Sequence, residues 1–374
     1  MPVESEYRPG LEGVIAAQTA VSFLDVEHEE IVIRGYSLIE LAQEVRYPEV
    51  AYLLLEGRLP SGAERSHFEA ELASAPPPEA VYRILQTLGR DAHPMDALRT
   101  GVSALGAMDP TNEDRGPDAL RKKLVTLMAQ VPMVVAASAH IREGKDPVTP
   151  RPDLGSSANF LYMITGRVPT DLEADTFDKL LTLYIEHEMP NSTFAARVIA
   201  STLADPYGAL AGAVASLKGT LHGGANEAVM YMLLSVKRVE DMEPDLLRRL
   251  ANKERIMGFG HRVYMHRPDP RAVLMKELLR KLVAQKGHED LLEMCEIGER
   301  VMQREKGLFP NLDYYAAPVY YLLDVPIPLY TPIFFAARLA GLAAHIEEQY
   351  RTNRLFRPRV HYTGPRGLKV GLTK

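Results

Sequence analysis

Helical periodicity, with almost no strand alternation to compete with it, is the feature that most limits what this chain can become. Phe177, Leu180, Leu183, Tyr184 and His187 recur along one face of a 3.6-residue helix. Thr331 with Pro332 marks a second helix start, after which Phe334, Ala337, Arg338, Gly341, Leu342 and His345 share a face. The best strand candidate, His28 to Tyr36, suits only a small amino-terminal β-hairpin. The expected fold class is therefore mainly α, a bundle of many short helices. Ala75 to Pro78 and Gly144 to Pro152 read as connectors, and no shift in composition marks a domain boundary.

Composition narrows the class further. A chain of 374 residues that is 46% apolar and 25% charged is neither disordered, collagenous nor built on disulfides. At that length one hydrophobic core is already stretched, so one large domain or two unequal ones is expected. The single Cys295 cannot form an internal disulfide, which points to a reducing compartment, and its helical setting suits an inert thiol. Met1 to Glu6 lacks the basic and apolar regions of a signal peptide. Val198 to Leu217 is broken by Asp205 and Pro206, and Val325 to Ile346 carries three prolines and Arg338, so neither is expected to span a bilayer. A cytoplasmic protein without a membrane partner is the expectation.

Charge is spread unevenly. The net charge of -6 argues against nucleic-acid binding. Even so, Arg248 to Lys281 carries ten basic residues against three acidic ones, and Arg351 to Lys374 carries seven against none. The first stretch is interleaved with Gly-Phe-Gly-His and the second with Arg-Pro-Arg, which are poor material for a solvated helix face and suit a polyanionic ligand.

Four segments hold residue types that could do chemistry. His187 closes the apolar face noted above, as a core histidine would, and is followed by Asn191, Ser192 and Thr193, which could cap the next helix. In Leu221-His222-Gly223-Gly224-Ala225-Asn226-Glu227, two glycines let backbone approach a ligand closely, and a helix beginning there would lower the pKa of His222. Gly258-Phe259-Gly260-His261-Arg262, followed by Asp269-Pro270-Arg271, combines flexible backbone, an imidazole and guanidinium groups suited to phosphates and carboxylates. In Pro310-Asn311-Leu312-Asp313-Tyr314-Tyr315 the aspartate would have its pKa raised by desolvation or would cap a helix. Arg338, on an apolar face, calls for an anion unless it snorkels to the surface. No closely spaced His or Cys pair offers a metal site.

Together these motifs resemble the citrate synthase family in its short bacterial and archaeal form, from about Gly10 to Arg359. The resemblance implies a two-domain helical fold, with residues 1–217 plus 321–374 forming a large domain and 218–320 a small one that closes over the first substrate. It implies that His222 hydrogen-bonds the thioester oxygen of acetyl-CoA, that Asp313 takes a proton from its methyl group, and that His261 polarises the ketone of oxaloacetate. His187, Arg271, Arg338 and Arg357 match residues that hold oxaloacetate, Arg357 reaching in from the partner of a homodimer. Arg255, Ile256, Met257, Gly258, Phe259 and Gly260 match the segment around the adenine end of coenzyme A, which is a substrate, so no cofactor is implied. The alternatives are a 2-methylcitrate synthase using propionyl-CoA and a catalytically silent paralogue that binds coenzyme A or a partner protein. The chain departs from the family pattern at Pro190-Asn191, usually Asn-Ala, which bears on the helix break beside His187. It departs also at Thr220, usually Pro, and in placing Arg271 ten rather than nine residues after His261.

Overall fold

A computed structural model describes residues 7–370; the amino-terminal hexapeptide lies outside the described residues. Among these residues the chain forms sixteen α-helices and one small sheet. The sheet is larger than the hairpin expected from sequence. Strands β1 (Ser22–Asp25), β2 (Glu30–Ile33) and β3 (Tyr36–Ser37) pair antiparallel in the order β1-β2-β3. The run His28 to Tyr36 is interrupted because Arg34 and Gly35 both take positive φ, closing a tight turn between β2 and β3.

The helices are α1 (Leu38–Glu44), α2 (Tyr47–Glu56), α3 (Gly62–Ala73), α4 (Glu79–Thr87), α5 (Pro94–Met108), α6 (Pro117–Arg142), α7 (Ser156–Thr165) and α8 (Asp171–Tyr184). They continue as α9 (Asn191–Ala200), α10 (Pro206–Lys218), α11 (Ala225–Ser235), α12 (Met242–Ala251), α13 (Pro270–Lys286), α14 (Glu289–Lys306), α15 (Leu312–Leu322) and α16 (Tyr330–Arg351).

Helix α16 is the axis of the molecule, packing on α2, α5, α6, α8, α9, α10 and α11. It starts at Tyr330, one residue before the expected Thr331, because a 3₁₀ turn at Ile327–Leu329 runs straight into it. A helix covered on all sides must give its polar side chains internal partners. Accordingly Arg197 of α9 donates to His345 Nδ1 at 3.0 Å and to Glu348 at 2.7 Å, and His345 Nε2 lies 3.1 Å from Glu186. Helices α6 and α16 are long and apolar enough to cross a membrane by length and composition alone. In the most apolar windows of the two helices 72% and 83% of residues are buried inside the protein, so that hydropathy serves the core.

Helix α8 shows how local chemistry places a site residue. Thr170 and Glu173 form a capping box at its start, and Phe177, Leu180, Leu183 and Tyr184 bury its inner face. The helix ends at Tyr184, so His187 lies beyond it rather than on it as the periodicity suggests. Cys295 is buried in α14, where burial pushes its thiol pKa up and leaves it unreactive.

Candidate active site

The site is assembled from helix ends. The turn between α10 and α11 carries His222, the loop between α12 and α13 carries His261, and Arg271 and Asp313 stand in the first turns of α13 and α15. Two glycines make the His222 turn possible. A side chain on Gly223 would come within 2.3 Å of the Leu217 carbonyl oxygen, and Gly224 caps α11 with a φ of 85°.

Backbone pairing stitches the His261 loop to the segment before Asp313. Gly260 N donates to Phe309 O and Asn311 N to Gly258 O, each at 2.9 Å, and the Asn311 side chain donates to Gly260 O at 3.0 Å. Asn311 also caps α15 by accepting from Asp313 N at 3.1 Å, so the capping role considered for Asp313 belongs to its neighbour. Asp269 does the same for α13. Its carboxylate accepts from Arg271 N at 2.9 Å, from the Arg271 guanidinium at 2.8 Å and from Leu312 N at 3.2 Å. One buried carboxylate thus joins the starts of two helices and aims an arginine.

Hydrogen bonds set the tautomer of both imidazoles. His222 Nε2 accepts from Ser192 N at 3.1 Å and lies 2.9 Å from Ser192 Oγ, so in the neutral ring Nδ1 carries the proton. His261 Nδ1 accepts from Val263 N at 3.0 Å and Tyr264 N at 3.3 Å, which leaves the proton on Nε2. That nitrogen faces His187 Nε2 at 3.1 Å and Arg271 Nη2 at 2.9 Å. Nε2–H and the guanidinium therefore converge on one point, an arrangement that recognises an oxygen acceptor. Burial and the charge of Arg271 pull His261 down to about 4, and the same causes in the same order pull His187 well below its ordinary value. His222 is also lowered, by burial first and then by Arg338. All three rings are neutral at pH 7.

Asp313 lies across a small cavity of about 30 Å³ from His222, with Asn226, Thr331 and Phe334 also in the wall. Burial raises its pKa, opposed by a 2.7 Å hydrogen bond from Tyr184 and by Arg271 and Arg338. Arg338 is 4% exposed, which rules out snorkelling. Its Nε donates to the Tyr184 carbonyl at 2.6 Å, its guanidinium lies 4.7 Å from the Phe334 ring, and no carboxylate pairs with it among the described residues. Burial pulls its pKa down to about 10, so it stays charged at neutral pH. A larger cavity of about 630 Å³ between α3, α6 and α7, walled by Met128, Met133 and Phe160, touches none of these residues.

His187, His222, His261, Arg271, Asp313 and Arg338 are thus brought together. Arg357 is not. It is exposed on the extended segment after α16, which is held to α9 by a Phe356 N to Ser201 Oγ hydrogen bond of 3.1 Å and by Phe356 packing on Phe194. Of the segment 255–260, Arg255 is exposed, Gly258 is buried and the rest is half-buried beside the His261 loop. Pro190 and Asn191 leave the break beside His187 intact, since α9 begins at Asn191 and presents Ser192 to His222. None of Asn191, Ser192 and Thr193 caps that helix. Sequence reasoning missed Tyr184, Ser192 and Asp269. Asp-Pro-Arg carries a helix-start signal that could have flagged Asp269, whereas nothing local marks Tyr184, whose partner lies 129 residues away.

Comparison with known proteins finds likenesses along nearly the whole chain. A family model described as "Citrate synthase, C-terminal domain" matches residues 10–359. The chain is 57% identical over 367 residues to the "Citrate/2-methylcitrate synthase" of Bacillus subtilis, covering 98% of this chain and 99% of that one. It is 56% identical to the "Citrate synthase" of Heyndrickxia coagulans, covering 98% of each. A solved citrate synthase from Thermoplasma acidophilum, in ternary complex with carboxymethyl coenzyme A and oxaloacetate, superposes with a TM-score of 0.90 at 30% identity, covering 97% of this chain and 98% of that one. With its helical fold, its converging imidazoles and guanidinium groups and these full-length likenesses, the chain belongs to the citrate synthase family.

Proposed function

We propose that this protein condenses acetyl-CoA with oxaloacetate and hydrolyses the resulting thioester to citrate and coenzyme A. The observation that carries the reading is the placing of a neutral imidazole donor, His222 Nδ1–H, and a carboxylate, Asp313, on one cavity. A thioester α-proton is too weakly acidic for a carboxylate alone, so the developing enolate needs a donor at its oxygen while the base removes the proton. His222 supplies that donor and Asp313 the base. The enol carbon then attacks the oxaloacetate ketone, whose oxygen is polarised by His261 Nε2–H.

Two carboxylates on the acceptor account for the arginines. Arg271 and Arg338 are buried, the charge of Arg271 lowers the pKa of Arg338, and among the described residues Arg338 has no carboxylate ion-pair partner. His187 completes that end. Arg357 serves the site of a partner subunit in a homodimer, a reading its exposed position supports. Residues 255–260 flank the coenzyme A adenine, and residues 218–320 act as a small domain closing on 1–217 plus 321–374. The cytoplasm is the proposed compartment, in keeping with the lone thiol.

A second reading, 2-methylcitrate synthesis from propionyl-CoA, is favoured by the double name of the Bacillus subtilis relative. One methylene is worth only about 1–3 kcal/mol of discrimination. The test is thiol release from acetyl-CoA and from propionyl-CoA, each with and without oxaloacetate. Release that depends on oxaloacetate supports condensation, and the ratio of kcat/KM orders the two donors. Absence of release with either would favour a silent paralogue.

A further inference from the structure

We infer that Tyr184 is a positioning residue for the general base: its phenol orients the Asp313 carboxylate and keeps it ionised, leaving Oδ2 to take the substrate proton. The inference rests on the reading of Asp313 as that base. Tyr184 is 2% exposed, and its hydroxyl donates to Asp313 Oδ1 at 2.7 Å. Burial lifts the phenol pKa well above its ordinary value, so it acts only as a donor toward the carboxylate. The Asn226 side chain lies near the same phenol and opposes the effect of burial on it. The one hydrogen bond of the phenol is thus spent on the carboxylate, in a buried setting where it counts for more than in water.

The rest of the residue holds other parts of the site. Its carbonyl accepts from Arg338 Nε at 2.6 Å, and its ring packs edge-on against Phe334 at 4.8 Å. Both features survive replacement by phenylalanine, so the hydroxyl can be removed while Arg338 keeps its place. The groups facing Asp313 are Tyr184 from α8, Arg271 and Asp269 from α13, Arg338 from α16 and Tyr320 from its own helix, with His222 and Asn226 across the cavity. Burial is the main influence raising the carboxyl pKa, and the Tyr184 hydrogen bond is the largest opposing it. Without the phenol the protonated form gains, and the base is lost at a higher pH as the solution is acidified.

In Tyr184→Phe, kcat at pH 7 is expected to fall about 10-fold, as the loss of a buried hydrogen bond to a charged group implies. KM for oxaloacetate should stay within about twofold, because the contacts to Arg338 are unchanged. The acid limb of the kcat–pH profile should move up by about one unit. An unmoved acid limb overturns the inference, even if kcat falls, because a packing role alone would not shift it. If Tyr184→Phe does not fold, 3-fluorotyrosine at position 184 carries the same test: its more acidic phenol is the stronger donor, so the acid limb should move down, and an unmoved limb is decisive against. Should the parent protein release no thiol, the proposed function fails. The positioning role is then decided by carbon-13 NMR titration of the Asp313 carboxyl in parent and Tyr184→Phe, where an unchanged pKa overturns it.

Discussion

The His222 turn and the His261 loop present the same side chain in opposite senses. At His222 the backbone amide of Ser192 meets Nε2, so the proton stays on Nδ1 of a ring that lines the cavity. At His261 the amides of Val263 and Tyr264 meet Nδ1, so Nε2–H faces His187 and Arg271. Neither ring depends on a carboxylate to set its proton. A backbone N–H is a donor that cannot be titrated, and with burial it holds each imidazole neutral and fixed in one tautomer. The difference teaches that glycine-flanked histidines of similar appearance can serve different substrate atoms, according to which nitrogen the chain covers.

The largest effect that would break this picture lies at the group the two histidines serve. Asp313→Asn should reduce turnover about 10²- to 10⁴-fold, measured as oxaloacetate-dependent thiol release. Full activity would remove the reason for the two donors. Next, Asp269→Ala leaves the buried Arg271 without its carboxylate and uncaps α13, and chemical denaturation should register a loss of about 3–5 kcal/mol. A loss below 1 kcal/mol would mean the His261 side does not depend on that ion pair.

The contrast between tautomers can be sharpened by amide replacements. Asparagine places its N–H near the position of Nδ1, and glutamine near that of Nε2. His222→Asn should therefore retain about 10-fold more kcat/KM than His222→Gln, with the order reversed at His261. Nitrogen-15 NMR at pH 7 should find the proton on Nδ1 of His222 and Nε2 of His261, and the His261 ring should stay neutral down to about pH 4. The smallest effect is expected from Ser192→Ala, which removes a hydroxyl but keeps the amide. A change of no more than about fivefold in kcat would confirm the backbone as the controlling donor, since a neutral hydrogen bond contributes only ~1 kcal/mol.

Much of the site was legible because its chemistry is written in short, unusual strings. Gly-Gly after His222 and Gly-Phe-Gly before His261 are costly within helices and so mark backbone held for another purpose. Arg338 stood out as a charge on an apolar face, and it proved to be buried without a carboxylate partner among the described residues. Tyr184 did not stand out, because an aromatic residue on an apolar helical face looks the same whether its hydroxyl meets a base or fills a gap. The helical class was legible from periodicity, whereas the third strand was hidden because β3 contains only two residues.

What the amino-acid order determined by itself is local: helix faces and ends, glycine turns, and an inventory of three imidazoles, one carboxylate and several guanidinium groups. Only the tertiary structure decided which nitrogen of each ring is covered, that Asp269 fastens α13 to α15, and that Tyr184 reaches Asp313. The physical reason is one of distance. Periodicity and capping act over a few residues, but a tautomer or a shifted pKa depends on neighbours within a few ångströms that folding brings from anywhere in the chain.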